Sequence, residues 1–422
     1  MRAKTQRSRV VAAIAGVLAL VLGLASCSAA PQIDVDLPAQ VDAKLPADMV
    51  AALQDAVTHA MAAAGASGAI VGVWAPWSGQ WVTGLGTQRI GGGSVVTADM
   101  PFRAGPVSRA MTCDALYVLA DKGVVDLDDS VADHVSGVSD VKDVTLRELC
   151  DSTSGIGSYS GQLMSSWLSV PDRVWNPREL ASYGLGQART AEPGAALRDS
   201  DAGYVLLGLA LEKATGQTAS ELLDENVFTP LSLEHTRLPT NPAARVPHIL
   251  AGHLGMPGAE GAMNCTDPLD VTAMSAGFGF TDAGVVTDID DLGRYVQALA
   301  AQSLTPADDR YAVPLPVYAG APTWYTTAGG VIQAGSLVGQ AGTTPGYATA
   351  AFADPKSGLT VAVVLNNSAS GPGIVTSLAW ELASIASKAA PASGQKAPEA
   401  GLPWTAAQNH DAITGGAICP LP

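Results

Sequence analysis

Sheet-forming sequence stands near both ends of this chain with helical sequence between, so any strands that pair across the two ends are drawn together over most of its length. Near the start, residues 69–74 and 80–85 are apolar and β-rich, separated by the turn-forming Pro76-Trp77-Ser78-Gly79. Near the end, residues 347–353 and 359–365 flank Asp354-Pro355-Lys356-Ser357-Gly358 in the same way. Met49, Leu53, Val57 and Met61 recur every four residues and predict a helix ahead of the first pair, with Asp48 placed to cap it and Gly65 to end it. Ile374, Leu378, Leu382 and Ile385 predict a closing helix. From about 112 to about 270 the strong signals are helical, as over 204–215 before Gly216 and over 219–227 before Pro230. The expectation is an α/β (α+β) domain over 48–389. Its antiparallel sheet is flanked by helices, with a mainly helical subdomain inserted at about 112–270. Residues 390–422, rich in Ala, Pro and Gly, are expected to run over the surface as a tail.

The first 26 residues have the layout of an export signal: Arg2, Lys4, Arg7 and Arg9 precede an apolar run too short to span a bilayer. The run closes on Leu24-Ala25-Ser26-Cys27, which resembles the lipobox of bacterial lipoproteins. Cys27 is then the lipidated first residue of the mature protein, held at the outer face of the cell membrane by one anchor, with residues 27–47 as a flexible tether. Cleavage leaves 19 basic against 39 acidic residues, a net charge of −20. Nucleic acid is excluded as a partner, because phosphate binding draws on clustered lysine and arginine. Four further cysteines would lie in a compartment that permits disulfides. Cys113 with Cys150 and Cys265 with Cys419 is the favoured pairing, the second tying back the tail, and free buried thiols are the alternative.

Five segments, in order, carry a family resemblance. Phe102-Arg103-Ala104-Gly105 runs into a helix reaching Ala120-Asp121-Lys122-Gly123; Thr145-Leu146-Arg147-Glu148-Leu149 leads to Thr153-Ser154-Gly155; Gly203-Tyr204-Val205-Leu206-Leu207-Gly208 precedes Glu212-Lys213-Ala214-Thr215-Gly216. Gly284-Val285-Val286-Thr287 and Gly342-Thr343-Thr344-Pro345-Gly346-Tyr347 complete the set. This order resembles the serine β-lactamase and penicillin-binding-protein family, in the branch of class C β-lactamases, D,D-carboxypeptidases, D-aminopeptidases and esterases. The resemblance implies a β-lactamase/transpeptidase-like fold.

It also implies where chemistry should reside. The family needs a serine in the first turn of a helix and a lysine three residues on, so that one turn brings hydroxyl and amine together. Pro106 and Arg109 stand there. Proline supplies neither an attacking oxygen nor a backbone N–H for an oxyanion, and a guanidinium stays protonated. The second motif, a tyrosine and an asparagine one residue apart, is replaced by Asp199-Ser200-Asp201, and the third, a lysine or histidine ahead of Thr-Gly, by Gln340-Ala341-Gly342. With all three motifs substituted, the chain is expected to be a degenerate member without catalytic residues. Arg109, Asp199 and Asp201 are expected to converge in a salt-bridge network.

Ser139 to Lys142 and Ser393 to Lys396 spell Ser-x-x-Lys without opening a helix, and Lys356-Ser357-Gly358 is a hairpin turn. Ser108, two residues beyond Pro106, should face away from the site. The six histidines are scattered; His248 and His253 come nearest to a metal pair, but no metal or other cofactor is expected. The resulting expectation is an envelope lipoprotein that binds or regulates, toward peptidoglycan stem peptides or another envelope protein. An active hydrolase with another nucleophile and a purely structural protein are the alternatives.

Overall fold

The two ends of the chain meet in one sheet. The computed structural model describes residues 32–422 apart from 139, 242–244, 259–260, 307–308, 400 and 422; the export signal, Cys27 and Ser139 lie outside the described residues. In chain order, α1 (Ala47–Ala64) precedes β1 (Gly68–Ala75), β2 (Gly79–Arg89), β3 (Gly92–Val95) and β4 (Phe102–Arg103). Helices α2 (Val107–Asp121), α3 (Val131–His134), α4 (Leu146–Cys150), α5 (Ser160–Ser169), α6 (Pro177–Leu185), α7 (Asp201–Thr215) and α8 (Ala219–Leu223) follow. Short pieces come next: β5 (His253–Leu254), β6 (Leu269–Asp270), α9 (Phe280–Ala283) and β7 (Val286–Thr287), then α10 (Ile289–Ala300). The last block is β8 (Leu315–Pro316), β9 (Tyr325–Ala328), β10 (Val331–Ala334), β11 (Leu337–Thr344), β12 (Tyr347–Ala353) and β13 (Thr360–Leu365), closed by α11 (Pro372–Ala386) and α12 (Ala406–Gly415).

Nine strands form an antiparallel sheet in the order β3-β2-β1-β13-β12-β11-β10-β9-β8, with Val71 of β1 opposite Val363 of β13. Alternate residues feed two cores. Ile70, Trp74, Ala362 and Val364 face the helical subdomain and α10, while Val71, Val73, Val361 and Val363 face α1 and α11. Burial on both faces explains why the strands read as nearly unbroken apolar runs. Trp74 fixes the distance between sheet and α10. Its indole fills the space left by Gly72 and Gly293, where a Cβ would come within 2.1 and 2.6 Å of the ring.

Two boundaries differ from expectation. Asp48 caps nothing, since α1 starts at Ala47 behind Pro46 without a side-chain cap. The chain already lies on the domain before that, with the Ile33 amide bonded to the Pro230 carbonyl, Lys44 bridged to Gln80 and Leu45 buried, so the later half of the tether is packed by its own apolar residues. The tail after Ala389, expected to lie on the surface, carries α12. Trp404 stacks on Trp380 at 4.9 Å and donates its indole N–H to the Trp380 carbonyl, while Ile413 is fully buried. Widely spaced apolar residues among Ala and Gly hid that packing from a reading of periodicity.

Cys113 is bonded to Cys150, joining α2 to α4, and Cys265 to Cys419, clasping the tail. Replacing both Cys265 and Cys419 by serine is expected to lower stability by about 2–4 kcal/mol, through freedom returned to the unfolded chain. Urea unfolding checks this; an unchanged midpoint would refute it.

Candidate active-site cleft

The approach to α2 is set by the backbone. β4 pairs with β7, Ala104 donates to the Val285 carbonyl, and Gly105 turns the chain at φ +56, a conformation suited to glycine. Pro106 is the residue preceding the helix, buried, with φ −60, which its ring enforces. Its ring lies against Gly342 of β11 so closely that a Cβ on Gly342 would be 2.4 Å from Pro106 Cγ. The helix mouth is therefore filled by an apolar ring seated on a bare strand.

One turn on, Arg109 directs Nε to Asp282 at 2.6 Å and Nη1 to Asp199 at 2.5 Å, with its guanidinium 4.9 Å above the Tyr204 ring. Asp282 is nearly buried, its side chain 8% exposed, whereas that of Asp199 is 74% exposed. Burial, reinforced by Asp201 and Asp199 and opposed by Arg109, pushes the Asp282 carboxyl up to about 7. Burial works against the charge on Arg109, but Asp282 and Asp199 hold its guanidinium above the ordinary range.

Asp201 departs from the expected network. As the first residue of α7 it points to the start of α5, accepting the amides of Tyr159 and Ser160 at 2.5 and 2.9 Å. That helix opens without a side-chain cap from its own preceding residue, so its unpaired N–H groups claim the carboxylate. Asp282, which takes the place expected for Asp201, was not anticipated. Its signal was present, for it is the single charged residue between Asp270 and Asp288.

Gln340 is turned inward. Its side-chain amide donates to the Gly330 carbonyl at 3.0 Å and its oxygen accepts the Ala341 amide, so it ties β11 to the β9–β10 turn. Ser152 lines the cleft in a left-handed conformation, φ 55, and its hydroxyl donates to the Tyr204 phenol at 3.1 Å. Tyr204 gives its own proton to the Cys150 carbonyl, and burial raises the phenol to about 12 against the pull of Arg109. The phenol thus offers Ser152 no base. Ser108 is fully buried, accepting the Val285 amide. Lys356 sits in the β12–β13 turn, where its amide bonds Asp354.

No histidine is among the described residues that line the cleft. His253 is buried beside Asn366, while the described side chains gathered as metal-type ligands are His235, Asp288 and Asp291, with donor atoms within 4.8 Å of one another at the start of α10. His248 is not among them.

Pro106, Arg109, Ser152, Tyr204, Asp282 and Gln340 line a cavity of about 740 Å³. Arg109 is the sole cation among its described lining residues, facing Asp199, Asp201 and Asp282. Tyr159, Trp167 and Phe278 form one aromatic cluster of its lining, and Tyr318, Tyr325 and Trp380 another. The space suits a peptide-sized ligand.

The family profile described as "Beta-lactamase" matches residues 53–383. The chain is 30% identical over 180 residues to penicillin-binding protein 4 of Amycolatopsis lactamdurans, covering 42% of this chain and 45% of that one. It is 28% identical over 137 residues to penicillin-binding protein 4* of Bacillus subtilis, covering 32% and 30%. The matched stretches thus span less than half the length of these relatives. Among solved structures, a D-stereospecific amidohydrolase from Streptomyces superposes with TM-score 0.65 at 23% identity, over 75% of this chain and 94% of that one. The octameric penicillin-binding protein homologue from Pyrococcus abyssi gives 0.65 at 20%, over 78% and 75%.

Proposed function

We propose, from the premise that this chain belongs to the β-lactamase family, that it is a lipid-anchored envelope protein whose cleft binds ligand without acylation. The observation that carries this reading is the Pro106 ring seated on Gly342, at the place the family motif assigns to the attacking serine. With Pro106 there is neither a hydroxyl to attack a carbonyl nor an amide hydrogen to receive the resulting oxyanion. Two further features support it. Arg109 is held by two carboxylates and remains protonated, and Gln340 directs its amide into the β9–β10 turn.

Retention of a lined cavity argues against a purely structural role. The relatives are named for penicillin binding and D-stereospecific amide hydrolysis, and both point to D-configured peptides, so peptidoglycan stem peptides are the ligand class proposed. The anchor at Cys27 supports placement at the outer face of the membrane, where such peptides are within reach.

Incubation with a fluorescent penicillin followed by intact-mass measurement is expected to show no covalent adduct. An adduct would overturn the reading, and Ser152→Ala would then show whether the cleft serine is the nucleophile. Calorimetric titration with muropeptides is expected to show reversible binding, and its absence would return the domain to a structural role.

A further inference from the structure

We propose that the C-terminal helix α12 is a pH-sensitive latch, closed while the stacked rings of His59 and His410 carry at most one added proton between them and opened when both are protonated. The two imidazoles come from α1 and α12 and lie face to face, their centroids 3.8 Å apart and their planes 15° from parallel. Glu381 of α11 is buried beside them, its side chain 5% exposed, with Oε1 3.0 Å from Nδ1 of His410. Three helices therefore meet on three titratable side chains. The other charged residues of these helices, Asp48, Asp55 and Asp411, are exposed. The strands packed on α1 and α11, namely β1, β11, β12 and β13, hold no charged residue.

The hydrogen bonds fix where each proton can go. Thr414 donates its hydroxyl proton to the His410 carbonyl at 3.0 Å, so toward His59 Nε2, 3.2 Å away, it can only accept. Nε2 of His59 therefore carries the hydrogen, and Nδ1 is the nitrogen left to protonate. That atom is buried with no partner among the described residues. Protonating it puts an N–H where no acceptor stands and a charge against the neighbouring ring. The Glu381–His410 contact, by contrast, accommodates one proton between a ring nitrogen and a carboxyl oxygen. Burial, helped by His410, holds the His59 ring below its ordinary value of 6.5, so the stability it contributes is complete above that value and is lost as pH falls through it. Burial raises Glu381 against the pull of His410, and its proton uptake acts in the opposite sense, adding stability as pH falls.

The latch is connected to the cleft. α12 begins just after Trp404, which stacks on Trp380, and Trp380 lines the cavity. Beyond α12 the Cys265–Cys419 bond holds the end of the chain, and the Ile418 and Cys419 amides donate to the Ala63 carbonyl of α1. The helix is thus anchored at its far end. Its opening is local and reversible, and it withdraws Trp404 from a ring that lines the cleft.

Amide hydrogen exchange of residues 402–415, measured on the folded protein with both disulfides intact and corrected for the intrinsic rate, tests the latch. The segment is expected to open about tenfold more often at pH 5 than at pH 7.5, within the ceiling of about thirtyfold that one imidazole of ordinary value 6.5 sets. His59→Phe keeps a ring in the stack that cannot be protonated, and it should bring this ratio to one or below. His59→Gln should do the same without a ring. Glu381→Gln, which removes the opposing carboxyl, should keep the ratio or enlarge it. Equal opening of the wild type at the two pH values overturns the proposal, as does a ratio that survives in both His59 variants. A ratio abolished by Glu381→Gln would place the switch on the carboxyl instead of the histidine pair and overturn it as well.

Discussion

Arg109→Met is expected to cost about 3 kcal/mol of unfolding free energy at pH 8, the lower end of the range for breaking a buried pair, and less than half as much at pH 5. The side chains of Arg109 and Asp282 are 13% and 8% exposed, so removing the guanidinium leaves a carboxylate with little water to replace it. Asp282 already takes up a proton on folding, its carboxyl standing near 7 against an ordinary value near 3.8. A raised carboxylate contributes stability that is complete below the ordinary value and is lost as pH rises through about 7. Without Arg109 the main influence lowering Asp282 is gone and its carboxyl climbs further. At pH 5 it is neutral with or without arginine, so what is lost is a hydrogen bond to a neutral carboxyl, the solvent-exposed pair with Asp199 and packing over the Tyr204 ring; at pH 8 the wild type holds the buried ion pair and the variant does not. Urea unfolding at the two pH values measures the difference. Equal losses at both would show that Asp282 does not titrate in the folded protein.

Much of this arrangement is legible in the sequence because it rests on local rules. Strands 347–353 and 360–365 follow from apolar runs bounded by a turn whose residues specify it, and α7 ends at Gly216 because glycine alone adopts φ 74 there without strain. Pro106 is a helix-start residue by the same logic. What escaped is long-range. Nothing near Arg109 in the chain announces Asp282, 173 residues away, and Asp201 was assigned to the wrong partner because the needs of the α5 N-terminus appear only once α5 and α7 are side by side. The packed tail escaped for a related reason. Trp404 and Ile413 are too far apart to form a periodic face, and the aromatic group around Trp380 that receives Trp404 is assembled from α11 and β9.

The largest loss is expected where no sequence motif pointed. Arg310, outside the regular elements, is 4% exposed and bonds Asp114 of α2, itself 2% exposed and also held by the Tyr295 phenol at 2.7 Å. Two further N–H groups of Arg310 reach the Gly329 carbonyl at 3.1 and 3.0 Å, and Asp151 accepts the Gly329 amide. The β9–β10 turn that carries Tyr325 and Ile332 of the cleft wall is thereby held to α2. Arg310→Met is expected to cost about 3–5 kcal/mol, because Asp114 stays buried with only Tyr295 for a partner. Adding Asp114→Leu removes the stranded carboxylate, so the double variant should lose less than Arg310→Met alone, an outcome that additive contacts cannot produce. Urea unfolding of the two single variants and the double variant measures the coupling. A double variant less stable than either single one would mean that the pair contributes by packing rather than by mutual neutralisation. Because the same guanidinium positions the cleft wall, Arg310→Met should also weaken muropeptide binding at temperatures where the variant remains folded, and the double variant should not recover that affinity, since neither replacement rebuilds the bonds to Gly329.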